Sequence, residues 1–338
     1  MKGLVLVSPK NLEEKELTEA ENSSILAKVK ITKSLLTLND VMHYNGEIGE
    51  NNVVLGSYGI GVITETNVNF FDIEKGKHVY ISARRPCTEC YNCKNNEENK
   101  CSDMLTAGED YDGFLRDFLS VNADKLFVLP DGVSDLDALF IGHISLAISV
   151  VDKLNIQKGD YVAIIGANNF ANVLAQLLIY YQAVPIVLST DNDDLEVIKN
   201  SGIYYTLGSD DNWQKEVSSI TGGRMTKSVV YISDCDISPS KAFSVAAFSA
   251  SVAFTGISNK NISVPFAQAI KKQLNIHCIS SAAASTATSI NLLANKAINV
   301  KGLKFDEVSY QEVSEKLAES GKKLENEESV SETVVSMI

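Results

Sequence analysis

The sequence predicts a two-part α/β protein, with a β-rich first part and a doubly wound parallel sheet after it. Three observations carry the prediction. Short β-like runs broken by Gly and Asn fill the chain to about residue 140. From about residue 143, apolar strands alternate with stretches of helical spacing. Within the first part, a polar segment gathers four of the six cysteines.

Taken in order, MKGLVLVSPKNL has one lysine, a brief apolar run and no small-residue cleavage site, so it reads as a first strand and not as a signal peptide. SILAKVKI, NVVLGSYGIGVITE, HVYISA and KLFVLP continue the β-rich part. Tyr161 to Gly166, YVAIIG, is a buried strand. The following 169–182 stretch is helical, with apolar residues at Phe170, Val173, Leu174, Leu177, Leu178 and Tyr181. A second strand, PIVLST, spans Pro185 to Thr190, and the next helix opens at Asp191 to Asp194 and closes near Ser201-Gly202. SVVYISD and SVAFTGIS add strands, and from about residue 280 helices return, with an Ala- and Ser-rich start and a charged end. The composition changes near 142 and 280 place a nucleotide domain at 143–279, inserted into a discontinuous partner of 1–142 and 280–338.

At 338 residues the chain has room for two ordinary domains. A net charge of −13 argues against a nucleic-acid partner, because phosphate binding needs clustered Lys and Arg. The acid lies mainly in NLEEKELTEAEN and KKLENEESVSE, which read as solvated faces. The longest apolar runs are too short to cross a bilayer, so no membrane partner is expected and the cytoplasm is the expected compartment.

The segment RRPCTECYNCKNNEENKC, Arg84 to Cys101, has the spacing C-x2-C-x2-C-x7-C. Four thiolates converging from one loop satisfy a tetrahedral Zn²⁺ and leave no position for water or substrate, so Cys87, Cys90, Cys93 and Cys101 predict one structural zinc per chain. The rival reading, two disulfides, needs an oxidising compartment that nothing else in the sequence supports. Cys235 and Cys278 read as buried core thiols.

A dinucleotide site wants G-x-G-x-x-G between a buried strand and a helix, so that backbone N–H groups hold the pyrophosphate. The chain offers Gly166-Ala167-Asn168-Asn169-Phe170-Ala171, with Asn168 in place of the middle glycine and Ala171 in place of the third. Asn tolerates positive φ, although its side chain takes space beside the phosphate. Where an acid would select NAD stand Ser189 and Thr190. Hydroxyls do not repel a 2′-phosphate, so NADP(H) is favoured over NAD(H), yet Asp191 follows at once and no Arg is near.

Together these residues resemble the medium-chain dehydrogenase/reductase superfamily, in its zinc-type alcohol dehydrogenase branch. The resemblance rests on the four-cysteine lobe, on DGFLRDFLSVNADKLFVLPDGVS and on KGDYVAIIGANNFANVLAQL, and covers essentially the whole chain. It implies a GroES-like, partly open β-barrel substrate domain, a Rossmann domain, and hydride transfer to or from a nicotinamide with a small-molecule substrate. It adds Thr255 and Gly256 to the cofactor set, and implies a homodimer or homotetramer paired through SVAFTGIS.

The chain also departs from that family. Its catalytic-zinc cysteine falls on Thr37 in SLLTLNDVMHYNGE, with Asp40 kept; its Gly-His-Glu ligand motif is Gly56-Ser57-Tyr58; its third ligand falls on Gly142 or His143; and its proton-relay hydroxyl is Asn39. The resemblance therefore implies a zinc-free reductase of activated C=C or C=O bonds. Tyr58 is the first candidate donor and His143 the second, with Ser57, Thr37, Asn39 and Tyr44 as neighbours. Two alternatives stand beside it: a non-catalytic dinucleotide-binding or scaffold protein, and a metal dehydrogenase whose ligands are drawn from His43, His78, His143, His277 and Asp40.

Overall fold

A computed structural model describes residues 1–18, 26–68, 72–235, 237–256, 263–280 and 285–337. Ser24 and Ile25 of SILAKVKI, Ile257 and Ser258 of SVAFTGIS, and the 281–284 part of the Ala- and Ser-rich start lie outside the described residues. The chain forms two compact units, Met1–Ile141 with Lys304–Ile338, and Gly142–Leu303. The second division thus falls at 303/304 and not near 280. Hydrogen bonds tie the 286–303 stretch to the helices of the second unit: Ser145 Oγ lies 2.9 Å from Ser289 Oγ, and the Gln176 side chain accepts from Asn299 N at 2.8 Å and donates to Asn299 O at 3.2 Å.

In the first unit, the long strand Leu26–Leu36 organises a seven-stranded sheet. It pairs antiparallel along its length with Tyr58–Thr66, through its first half with Phe118–Asn122, and through its last residues with Glu332–Ser336. Register shifts after Lys28 and after Ile31 mark bulges, which turn a strand and let one element serve three partners. Lys2–Ser8 heads a three-stranded sheet with Asn11–Glu16 and Val53–Val54. The acidic NLEEKE run is therefore a strand, solvated as expected but hydrogen-bonded along its edge. Helix Leu38–Asn45 leaves the long strand at Thr37, and the Asn45 amide donates to Gly321 O of helix Val313–Glu325 at 3.1 Å.

The second unit is one six-stranded, all-parallel sheet. Its strands lie in the order Tyr205–Leu207, Val184–Leu188, Tyr161–Ile165, Thr226–Ile232, Ala246–Thr255, Asn275–Ile279. The first strand in sequence stands in the middle and the order reverses beside it, which makes the gap between Tyr161–Ile165 and Thr226–Ile232 the topological switch point where such sheets bind ligands. Apolar runs with both faces covered explain the strands: Ala163, Ile165, Ile186, Leu188, Val229 and Val252 share one buried cluster with Phe243 and Trp213.

Two expectations are corrected here. Ala246–Thr255, which contains SVAFT, is hydrogen-bonded on both sides, so it has no free edge to pair with a second copy; among the described residues the outermost strand on that side is Asn275–Ile279. Cys278 lies on that edge strand and is exposed, while Cys235 is half-buried, with burial pushing its thiol up to about 11. No helix among the described residues is long and apolar enough to cross a membrane.

Candidate functional site

In the first unit, the sequence-predicted residues gather around Asp40. Thr37 caps helix Leu38–Asn45, and the Asp40 carboxylate three residues on accepts from Thr37 N at 2.8 Å and from Thr37 Oγ1 at 3.1 Å. The Ser57 hydroxyl donates to the same carboxylate at 2.9 Å, and Gly56 N at 3.0 Å. Burial raises the Asp40 carboxyl above its ordinary range, against the hydrogen bonds from Thr37, Ser57 and Gly56. Thr37 and Ser57 are thus brought together, as donors to one carboxylate. Asn39 stands on the same helix, and its Oδ1 is buried without a hydrogen-bond partner among the described residues.

Tyr58 opens the next strand, and its carbonyl accepts from Ser34 Oγ at 2.8 Å. Its hydroxyl is pushed up to about 12, first by burial and then by the Glu332 and Asp40 carboxylates, with the Arg84 guanidinium acting in the opposite direction. Arg84, Glu332 and Tyr80, whose hydroxyl is likewise held protonated by burial, were missed from sequence. Arg84 stands in the quoted cysteine segment, but no spacing rule connects it to Tyr58.

Tyr44 does not join this group. It is buried in the apolar cluster of Leu4, Leu6 and Leu317, and its hydroxyl donates to Lys10 O at 3.2 Å. His43 is also occupied, with Nδ1 2.8 Å from Gly108 O and Nε2 2.6 Å from Glu50 O. His78 Nδ1 lies 2.6 Å from an Asp135 oxygen, and His143 belongs to the second unit, on helix Ile141–Lys153.

The cysteine quartet is well formed. The four Sγ atoms lie within 4.8 Å of one another, all four are free thiols, and Cys93 is buried. Sulfur separations of 3.5, 3.9 and 4.0 Å bracket the ~3.8 Å expected around a tetrahedral ion with metal–sulfur bonds of ~2.3 Å. Cys87 N and Cys90 N each donate to a sulfur at 3.3 Å, and the backbone N–H of Cys93, followed by that of Ser102, lowers the Cys90 thiol to about 6. Among the described residues this is the only group of three or more Cys, His, Asp or Glu side chains close enough to share an ion.

In the second unit, helix Asn169–Tyr180 starts just after strand Tyr161–Ile165, at the switch point. Gly166 takes φ +111°, and a Cβ there would stand 3.2 Å from Ile232 Cβ and 3.3 Å from Cys235 Cβ. Asn168 is extended, not left-handed; it caps the helix, its Oδ1 accepting from Ala171 N at 3.0 Å and its Nδ2 donating to Asp234 Oδ2 at 3.0 Å. Asn169, Phe170 and Ala171 are buried. The Ser189 hydroxyl accepts from Asp191 N at 3.0 Å, Thr190 is exposed, and the Asp191 carboxylate caps the following helix by accepting from Asp193 N and Asp194 N.

Does this edge fit a dinucleotide? Thr255 is 2 % exposed, and its Oγ1, like Ser233 Oγ on the neighbouring strand end, is buried without a hydrogen-bond partner among the described residues. Gly256 keeps φ +95°, with Ser233 Oγ 2.9 Å from where its Cβ would be. Orphaned hydroxyls and Cβ-free turns at the carboxyl ends of parallel strands fit such a group. Ser233 and Asp234 were missed as site residues, although SVVYISD reads as a strand.

The Alcohol dehydrogenase GroES-like domain family matches residues 25–131. An uncharacterized zinc-type alcohol dehydrogenase-like protein of Haemophilus influenzae is 24% identical over 319 residues, covering 91% of this chain and 93% of that protein. Among solved structures, a short chain alcohol dehydrogenase of Escherichia coli CFT073, complexed with NADH, superposes with a TM-score of 0.85 at 22% identity, over 99% of both chains. A zinc-binding dehydrogenase of Sinorhizobium meliloti 1021, bound to NADP, superposes at 0.84 with 17% identity, over 99% of this chain and 98% of that one. A relative and two folds that run the full length, and a domain match that falls on the barrel strands and the cysteine lobe, agree with the quartet and the strand order. On that agreement, residues 25–131 match the alcohol dehydrogenase GroES-like domain, and the chain is similar along its length to zinc-type alcohol dehydrogenase-like proteins and shares their fold.

Proposed function

We propose that the chain reduces an activated C=C or C=O bond of a small molecule by direct hydride transfer, without a catalytic zinc. The observation that carries this reading is Asp40. Its carboxylate takes the hydroxyls of Thr37 and Ser57, the residues standing where two zinc ligands would, and the cysteine quartet alone among the described residues has the makings of an ion site. The quartet is proposed to hold one structural zinc, since four cysteine sulfurs complete its coordination.

A bound nicotinamide supplies the hydride. The chain's part is to hold it and to stabilise the oxyanion or enolate that forms. Tyr58 is proposed as that donor: a hydroxyl held up to about 12 keeps its proton throughout the working pH range. Asn39, whose Oδ1 is unmatched among the described residues, is proposed to orient the substrate. Gly166, Asn169, Thr255 and Gly256, joined by Ser233, are proposed to line the dinucleotide. The NADPH preference expected from Ser189 and Thr190 is weakened. The Ser189 hydroxyl is engaged with Asp191, and the segment 189–195 carries Asp191, Asp193 and Asp194 with no Lys or Arg to meet a 2′-phosphate. We therefore set NADH beside NADPH as the cofactor to test.

Titration of the protein with each nicotinamide, followed by the cofactor's own fluorescence, should give saturable binding. Tyr58→Phe should then lower turnover of enones or carbonyls by about a hundredfold with cofactor affinity little changed, as for loss of a single donor or proton source. Turnover in the native protein should show no alkaline limb near the ordinary tyrosine pKa of ~10. Unchanged turnover in the variant would remove Tyr58 from the mechanism. Failure to bind either nicotinamide would favour the second reading, a non-catalytic scaffold, which the Asn168–Asp234 contact supports.

A further inference from the structure

We infer that Asp234, held by Asn168, is a built-in competitor for the cofactor's pyrophosphate and sets a weak affinity for phosphate-bearing dinucleotides. The inference rests on the reading that the second unit binds a dinucleotide. It begins at the switch point, where helix Asn169–Tyr180 presents its N-terminus beside the ends of strands Tyr161–Ile165 and Thr226–Ile232. Such an end carries unpaired N–H groups and partial positive charge, and attracts an anion.

In this chain an internal anion is held there. The Asn168 side chain bridges the two walls of the crevice: its Oδ1 takes the N–H of Ala171 at 3.0 Å, and its Nδ2 donates to Asp234 Oδ2 at 3.0 Å. A glycine at position 168 would place nothing at this point and hold no carboxylate. The rest of the crevice retains the character of a ligand site. Thr255 Oγ1 and Ser233 Oγ are buried and, among the described residues, unpartnered on the adjoining strand ends, and Gly166 and Gly256 keep positive φ. The polar groups for the remainder of a nucleotide are therefore present, while at the anion end stands the exposed carboxylate of Asp234, hydrogen-bonded to Asn168. Like charges a few ångströms apart in a partly wet crevice weaken binding by about tenfold, and salt screens the effect.

The test compares the full-length protein with Asp234→Asn and Asn168→Gly. Asp234→Asn keeps an acceptor for Asn168 and removes only the charge; Asn168→Gly removes the holder at little cost, since glycine is a tolerated cap. NADH binding is read by fluorescence, ADP and adenosine by competition, each at low and high salt. Both variants should bind NADH and ADP about tenfold tighter than the native protein, with adenosine unchanged and the gap closing at high salt. Saturable NADH binding of equal strength in the native protein and Asp234→Asn would overturn the inference and leave the dinucleotide reading standing. So would a gain that extends equally to adenosine. Failure of all three proteins to bind NADH would overturn both.

Discussion

Asp40 is 1 % exposed and accepts from two backbone N–H groups and two hydroxyls, those of Thr37, Ser57 and Gly56. Asp40→Ala strands all four donors in a dry place, and stranded buried partners are costly. The expected loss is about 3 kcal/mol, against about 1 kcal/mol for Ser57→Ala, read from urea midpoints. An equal, small loss in both would mean that water already satisfies these groups. Asp40 itself was legible, as the acid three residues after Thr37, where the resemblance puts a cysteine. Its role was not, because Gly56 and Ser57 stand 16 and 17 residues away and no spacing rule brings them to it. Asn168 misled for a related reason. Its tolerance of positive φ suggested a substitute for glycine, whereas the side chain chose the cap and an acid 66 residues distant.

At the level of elements, the central strands of the second unit were legible because buried parallel strands announce themselves as apolar runs, whereas the outer strands Tyr205–Leu207 and Asn275–Ile279 were not expected. The first unit was harder to read. Its edge strand Asn11–Glu16 is acidic and carries no apolar run, and its last strand Glu332–Ser336, with only Val334 and Val335 as an apolar signal, pairs with residues some three hundred positions earlier. Glycines in Tyr58–Thr66 look like strand breakers but make room for neighbours. A Cβ on Gly59 would stand 2.4 Å from the Phe114 ring, and one on Gly61 2.4 Å from Lys30 O. Phe114 is fully buried and cannot retreat without opening the cluster around Ile63 and Ile81. Gly59→Ala should therefore cost about 2 kcal/mol, the usual toll of overpacking, with Gly59→Ala/Phe114→Leu recovering part of it in thermal melts. If the double variant is no better than the single, crowding against Phe114 is not the cause.

For the whole molecule, the question is how many metals the fold needs. The quartet draws all its sulfurs from residues 87–101, while Thr37 and Ser57, at positions where the resemblance puts two other ligands, donate to Asp40, and His43 meets backbone carbonyls. Elemental analysis should then find one zinc per chain, lost on Cys93→Ser. Because that ion fixes a lobe outside both apolar clusters of the first unit, its removal should expose the segment 84–104 to proteolysis while the strands keep their hydrogen-exchange protection. Reductase turnover per folded, zinc-depleted molecule should fall far less than in Tyr58→Phe. Two zincs per chain, with turnover lost on removal of the second, would instead mean a metal dehydrogenase with an unusual ligand set, and Asp40, the one buried carboxylate among the described residues, would be the first residue to test as a ligand.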